Sequence, residues 1–167
     1  MTDRADVKVL PPFVLLGFLG LESLVAFLAP MRALPVPVAL PLGIGVIAGS
    51  IVVLLLAIRE IVHAKTAFDV RRPTTKIIAS GVFHVTRNPV YLSMILLVIG
   101  VGLILDSLWS ILLALPLGSV LCLTIIRPEE RYLEGKFRDA YRAYRDDVPR
   151  WLSARRLFGA LWARSGR

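Results

Sequence analysis

Arg87-Asn88-Pro89-Val90-Tyr91 sets a cation, an amide and a phenol around a helix start, and the apolar run Leu92 to Leu105 follows at once. Ser80-Gly81-Val82-Phe83 leads into it. This combination belongs at the edge of a membrane, where a polar ligand can meet a lipid-embedded one. Further along, another hydrophobic run ends in Arg127-Pro128-Glu129-Glu130-Arg131-Tyr132-Leu133, a charged cluster that should return to the same surface. Two such junctions can build one site. Asn88 before Pro89 fits the N-cap and first helical position, and free amides at a helix start can bind a carboxylate or another electron-rich group.

The elements that position these residues follow from composition. Of 167 residues, 56% are hydrophobic, and the mean hydropathy of +0.72 is too high for an ordinary soluble domain. A bilayer-spanning helix needs roughly 17–25 mostly apolar residues, and four stretches come close: Phe13 to Pro30, Val38 to Ile58, Val90 to Leu105 and Leu108 to Ile126. The fold class expected is an all-α integral membrane protein, with four transmembrane helices and a cytoplasmic C-terminal helical cap. Asp106-Ser107 leaves room only for a tight turn between the last two spans, which predicts an antiparallel hairpin. Pro30, Pro35, Pro37 and Pro41 are expected to break the chain before the second span. That span should run on through Arg59-Glu60-Ile61-Val62-His63, until the stretch Phe68 to Thr75 interrupts it at the polar surface. Leu133, Phe137, Tyr141 and Tyr144 recur at helical spacing among arginines and predict an amphipathic helix, with Glu129 and Glu130 in its dipole-favoured first turn. Val148-Pro149 ends it. Trp151 to Trp162, with Arg155 and Arg156, predicts a second helix lying on the inner leaflet. On this reading residues 1–60 form a two-span anchor and residues 61–167 a catalytic region.

The charge balance, 20 Lys and Arg against 12 Asp and Glu, gives a net +8. Most of these cations fall between spans two and three or after Ile126, and Arg32 is the one cation in the two opposite loops. The positive-inside rule then places both termini in the cytoplasm. The same rule, with attraction to anionic headgroups, accounts for the charge without nucleic acid. Cys122 is the one cysteine, so no intrachain disulfide is possible. His63 and His84 have no Cys, His or carboxylate partner at ligand spacing, so no metal is expected. The first span lacks a convincing cleavage site and reads as retained. Glu22, a carboxyl within that span, is costly in lipid; it is either functional or bonded to a neighbouring helix or protonated.

The junctions together resemble the isoprenylcysteine carboxyl methyltransferase family and its bacterial relatives, within the wider group of membrane methyltransferases that includes phospholipid methyltransferases. The resemblance covers Thr66 to Trp151 and is carried by Ser80-Gly81-Val82-Phe83, Arg87-Asn88-Pro89-Val90-Tyr91, Glu129-Glu130-Arg131-Tyr132-Leu133 and the tail Phe137, Tyr141, Tyr144, Val148-Pro149-Arg150. It implies S-adenosylmethionine in a cytoplasm-facing pocket and a lipid-like methyl acceptor entering from the membrane. Carried over by position, Thr75, Lys76, Ile77, Ile78 and Phe83 border the cofactor, Asn88, Pro89 and Tyr91 form its main junction, and Glu129 or Glu130 faces it. Asn88 stands where many relatives carry His, and Phe83 where Tyr is common. An Asn amide can still donate and accept hydrogen bonds, but it cannot shuttle protons as His can.

Methyl transfer requires alignment, close approach and exclusion of water. The aromatic faces of Tyr91 and Phe83 can attract a sulfonium as they do other cations. Glu129 and Glu130 can bind the donor's ammonium or ribose hydroxyls. Arg87 or Arg127 can orient an acceptor carboxylate through paired guanidinium donors, and Glu130 completes the catalytic set. An amine acceptor would be repelled by those arginines. The acceptor expected is therefore an amphipathic carboxylate, with a phospholipid amine behind it. A basic chain without organelle targeting signals suits a prokaryotic inner membrane. Each residue also has a structural reading: Arg87 as a snorkelling cation, Tyr91 as an interfacial aromatic, the glutamates as helix-dipole partners, the tyrosine stripe as core. Two other functions stay open, an NADPH-dependent membrane reductase and a noncatalytic membrane adaptor.

Overall fold

The computed structural model describes residues 7, 9–32, 34–64 and 75–152. Its helices are α1 (Pro11–Leu28), α2 (Val36–His63), α3 (Pro89–Ile104), α4 (Trp109–Leu121), α5 (Arg127–Phe137) and α6 (Asp139–Asp147), with a 3-10 turn at Gly81–His84 and a π turn at Cys122–Ile126. The chain is an all-α membrane protein. α1, α2 and the continuous helix Trp109–Phe137 are each long and apolar enough to cross a bilayer. α3 makes the fourth span with only 16 residues. It runs about 24 Å at 1.5 Å per residue, and it can be short because α1, α2 and α4 all pack against it.

α2 is the most extensive neighbour of α3. Its buried positions, Ala39, Gly43, Ser50, Ala57 and Ile61, form one stripe of mostly small residues, which lets two backbones approach closely. A Cβ at Gly43 would lie 2.9 Å from the Gly100 carbonyl oxygen. Ser50 Oγ donates to the Ser93 carbonyl at 3.0 Å, a polar tie inside the apolar contact. On the other side, Val14, Leu15, Phe18 and Leu19 of α1 pack on a core of Tyr91, Val98, Leu117, Leu121, Ile125 and Ile126, which Val7 also joins.

The expected hairpin between the last two spans holds. Leu105 to Leu108 make the tight connection between α3 and α4, with Asp106 at φ 51°. Trp109 Nε1 donates to Ala29 O at 2.7 Å, Leu108 N to Met31 O at 2.8 Å and Leu34 N to Asp106 Oδ1 at 3.3 Å, so the two loops at this end are stitched together. Glu22 is fully buried. It lies with Ser110 against the bare face of Gly102, and neither carboxyl oxygen has a hydrogen-bond partner among the described residues.

Four expectations are corrected. α2 begins at Val36, so Pro37 and Pro41 sit inside the helix. Pro37 falls in the first turn, where no intrahelical donor is needed, and Pro41 forfeits only the bond to Pro37. The fourth span and the charged segment form one helix. Ile126 has φ −64° and ψ −47° and Arg127 N donates to Cys122 O, so Glu129 and Glu130 meet no free helix end, and the dipole account of them fails. Pro128 explains the wide turn: it cannot donate to Thr124, and its ring needs room that a π turn provides. The tyrosine stripe does not continue α5 either, because Arg138 at φ 47° breaks the chain before α6. Asn88 occupies the N-cap of α3 without a side-chain capping bond. The expected interruption at Phe68 to Thr75, save Thr75, and the helix expected over Trp151 to Trp162, save its first two residues, fall outside the described residues, while Trp151 packs on the core.

Candidate functional site

Pro89 has no amide hydrogen to lose, so α3 starts there, and Tyr91 follows two residues later on the buried face. Tyr91 is 6% exposed, and a buried phenol needs a partner. Its hydroxyl donates to Glu129 Oε2 at 2.9 Å. The π turn makes this meeting possible. It takes up one residue more than an α turn, which displaces everything beyond it by about 100° around the axis relative to a straight helix. Glu129 therefore faces Tyr91, and Glu130 faces Arg87.

Glu130 holds two guanidiniums. Arg150 binds it bidentately, Nη2 to Oε2 at 2.6 Å and Nε to Oε1 at 3.0 Å, and Arg87 Nη1 lies 3.3 Å from Oε1. The side chains of Arg87 and Glu130 are only 9% and 14% exposed, so Arg87 does not snorkel to water. Its Nη1 also donates to the Tyr141 hydroxyl at 3.4 Å, while its Nε is buried with no partner among the described residues. The hydrogen bonds to Glu130 hold the Arg150 guanidinium above its usual range. Burial, then the charge of Glu130, pushes the Tyr141 phenol up to about 12 against the opposing pull of Arg87. Burial also raises the Tyr144 phenol.

Arg150 reaches Glu130 because the chain after α6 folds back over the start of α3. Arg87 N donates to Pro149 O at 3.0 Å, Thr86 Oγ1 to Arg150 O at 3.1 Å and Asn88 Nδ2 to the same carbonyl at 2.9 Å. The Asn88 amide is thus spent on this strap, and its own N–H donates to Thr86 Oγ1 at 3.2 Å. Tyr144 donates to Phe83 O at 2.8 Å, which ties α6 to the 3-10 turn.

Of the residues singled out from sequence, Arg87, Asn88, Pro89, Tyr91, Glu129 and Glu130 come together, with Phe83 joined through Tyr144. Thr75 and Lys76 are exposed and Ile77 and Ile78 half-buried on the segment leading to that turn. Arg127 lies on the exposed face of its helix, and no side-chain ion pair joins it to the cluster among the described residues. Sequence reasoning missed Arg150, Tyr141 and Thr86 as members. Arg150 was visible only as part of the tail pattern Val148-Pro149-Arg150, and Tyr141 only as an apolar stripe. Among the described residues no group of His, Cys, Asp and Glu could hold a metal ion.

The arrangement offers an aromatic face, a carboxyl held by a phenol and an unpartnered guanidinium donor, all at the end of a span. No curated protein and no solved structure matches the chain. The family model for phospholipid methyltransferase matches residues 38–140. The match runs from the start of α2 into α6 and covers both junctions, leaving α1 and the strap outside it. With residues 38–140 making up more than half of its 167 residues, this membrane protein belongs to the phospholipid methyltransferase family.

Proposed function

We propose that this methyltransferase takes its methyl group from S-adenosylmethionine and delivers it to an amphipathic, lipid-like acceptor at the junction of α3 with the helix after the π turn. When bound, S-adenosylmethionine would supply an electrophilic methyl carbon: an acceptor lone pair would form the new bond to it as the S–C bond breaks, and that bond's electron pair would stay on sulfur. The observation that carries the reading is the Tyr91 hydroxyl on Glu129, which joins the two junctions at one point. Tyr91 and Phe83 present aromatic faces to the sulfonium. Glu129 binds the ammonium or ribose hydroxyls, since Glu130 is already committed to Arg87 and Arg150. Asn88 and Pro89 shape the floor of the pocket, and the segment Thr75, Lys76, Ile77 and Ile78 borders it. The partnerless Nε of Arg87 suits a carboxylate oxygen.

The acceptor we favour is an amphipathic carboxylate, its tail in the bilayer and its head oriented by Arg87 or by Arg127 at the end of the neighbouring span. Glu130 then serves to hold Arg87 in place. The commitment of Arg87 to Glu130 favours a second reading, a phospholipid amine, because a neutralised guanidinium repels an amine less. Residues 1–60 act as anchor and residues 61–167 as the catalytic region, in a prokaryotic inner membrane with both termini cytoplasmic.

The test is transfer of a labelled methyl group from S-adenosylmethionine to a total lipid extract by purified protein in detergent. Label that alkali releases as methanol is expected, marking an ester. Alkali-stable label on nitrogen would replace the carboxylate with the amine. In the first case Arg127→Lys should lower turnover more than donor affinity, because Lys keeps the charge and loses the paired donors.

A further inference from the structure

Glu60 stands in the last turn of α2, inside the anchor half of the chain. A carboxylate there opposes the helix dipole, which favours cations at a C-terminus. Its position needs another cause, and the turn across from it supplies one. Ser80 Oγ donates to Glu60 Oε2. The next residue, Gly81, has φ 57°, and a Cβ there would lie 2.6 Å from the Glu60 carboxyl carbon. Gly81 thus serves twice, taking a left-handed conformation and leaving space for the carboxylate.

From this tether a chain of bonds runs to the candidate site. Ser80 O accepts Phe83 N at 3.1 Å, and Val82 O accepts Thr86 N at 3.2 Å. Thr86 Oγ1 accepts Asn88 N and donates to Arg150 O. On one side of the turn lies Phe83, held by Tyr144, and on the other the segment Thr75 to Ile78. We infer that Glu60 is a positioning residue for methyl transfer: by holding the Ser80-Gly81 turn against the end of α2, it sets the donor-side wall formed by residues 75–83. This inference rests on the donor reading above.

The test measures donor KM and turnover with labelled S-adenosylmethionine and total lipid extract, in wild type, Glu60→Ala, Glu60→Gln and Ser80→Ala. Glu60→Ala and Ser80→Ala should raise the donor KM by about tenfold, the scale of one lost charge-assisted hydrogen bond, with turnover at saturating donor retained. Glu60→Gln keeps an acceptor oxygen for Ser80 and should restore most of the affinity. Hydrogen exchange at the Phe83 and Thr86 amides should rise in Glu60→Ala and return in Glu60→Gln. Wild-type KM in both Glu60→Ala and Ser80→Ala would overturn the inference while leaving the donor reading intact. A loss of turnover at unchanged KM would overturn it as well. Absence of any donor use by wild type overturns the donor reading, and the inference with it. Should Glu60→Ala fail to fold, Ser80→Ala decides by the same split.

Discussion

Tyr91 and Glu129 form a contact that neither residue type explains alone. An interfacial tyrosine would turn its hydroxyl to water, and a helix-end glutamate would need no phenol; here each satisfies the other at 2.9 Å. Tyr91→Phe keeps the ring and deletes the donor, so it should cost about 1–3 kcal/mol of stability by leaving a carboxyl oxygen unsatisfied. Tyr91→Ala also removes the face offered to a sulfonium and should weaken S-adenosylmethionine binding by a further 0.5–2 kcal/mol or so, with a smaller effect on S-adenosylhomocysteine, a neutral thioether. Thermal unfolding in detergent reads the first effect and calorimetric titration the second. Both residues were legible in the sequence because Pro89 and the paired glutamates mark their places. Arg150 was not, since a guanidinium distant in the chain gains its meaning only when the strap folds back onto Asn88 and Thr86. Nor was the fate of the Asn88 amide, which pattern assigns to capping and structure assigns to a carbonyl.

At the scale of elements, the strap and the π turn carry what the sequence left hidden. Hydrophobic periodicity shows where a span lies but not a one-residue widening within it, although Pro128 hinted at one. Arg150→Met should free the strap by removing both bonds to Glu130, at a cost of roughly 1–3 kcal/mol, with faster hydrogen exchange at the Arg87 amide that Pro149 now accepts. Unchanged exchange there would show that the backbone bonds alone hold the strap. Tyr141 gives α6 a pH signature. The unfolded chain releases the phenolic proton near 10.0, whereas the buried, Glu130-facing phenol holds it to about 12. A raised folded value means that stability is fully present below pH 10.0, falls as pH rises, and levels only above the folded value. Unfolding measured from pH 9 to about 12 should therefore show a decline that Tyr141→Phe reduces.

Across the whole molecule, four spans and a charged end were readable because hydrophobic length and cation placement are properties of composition rather than of contacts. The packing order was not, and α3, the shortest span, proves to be the central one. The same cations predict an orientation that labelling tests. In a Cys122→Ala background, Arg32→Cys should react with an impermeant thiol reagent added outside intact cells, and Lys76→Cys should react only after the membrane is opened. The reverse pattern would invert the topology. The central claim, that the two junctions form a donor site, is tested most directly by equilibrium binding of S-adenosylhomocysteine to the purified protein, with NADPH as the competing ligand. Saturable binding of S-adenosylhomocysteine is expected, lost in the Tyr91→Ala, Glu129→Gln double variant and indifferent to NADPH. Binding of NADPH instead, binding of neither ligand, or S-adenosylhomocysteine binding unaltered by the double variant would contradict it.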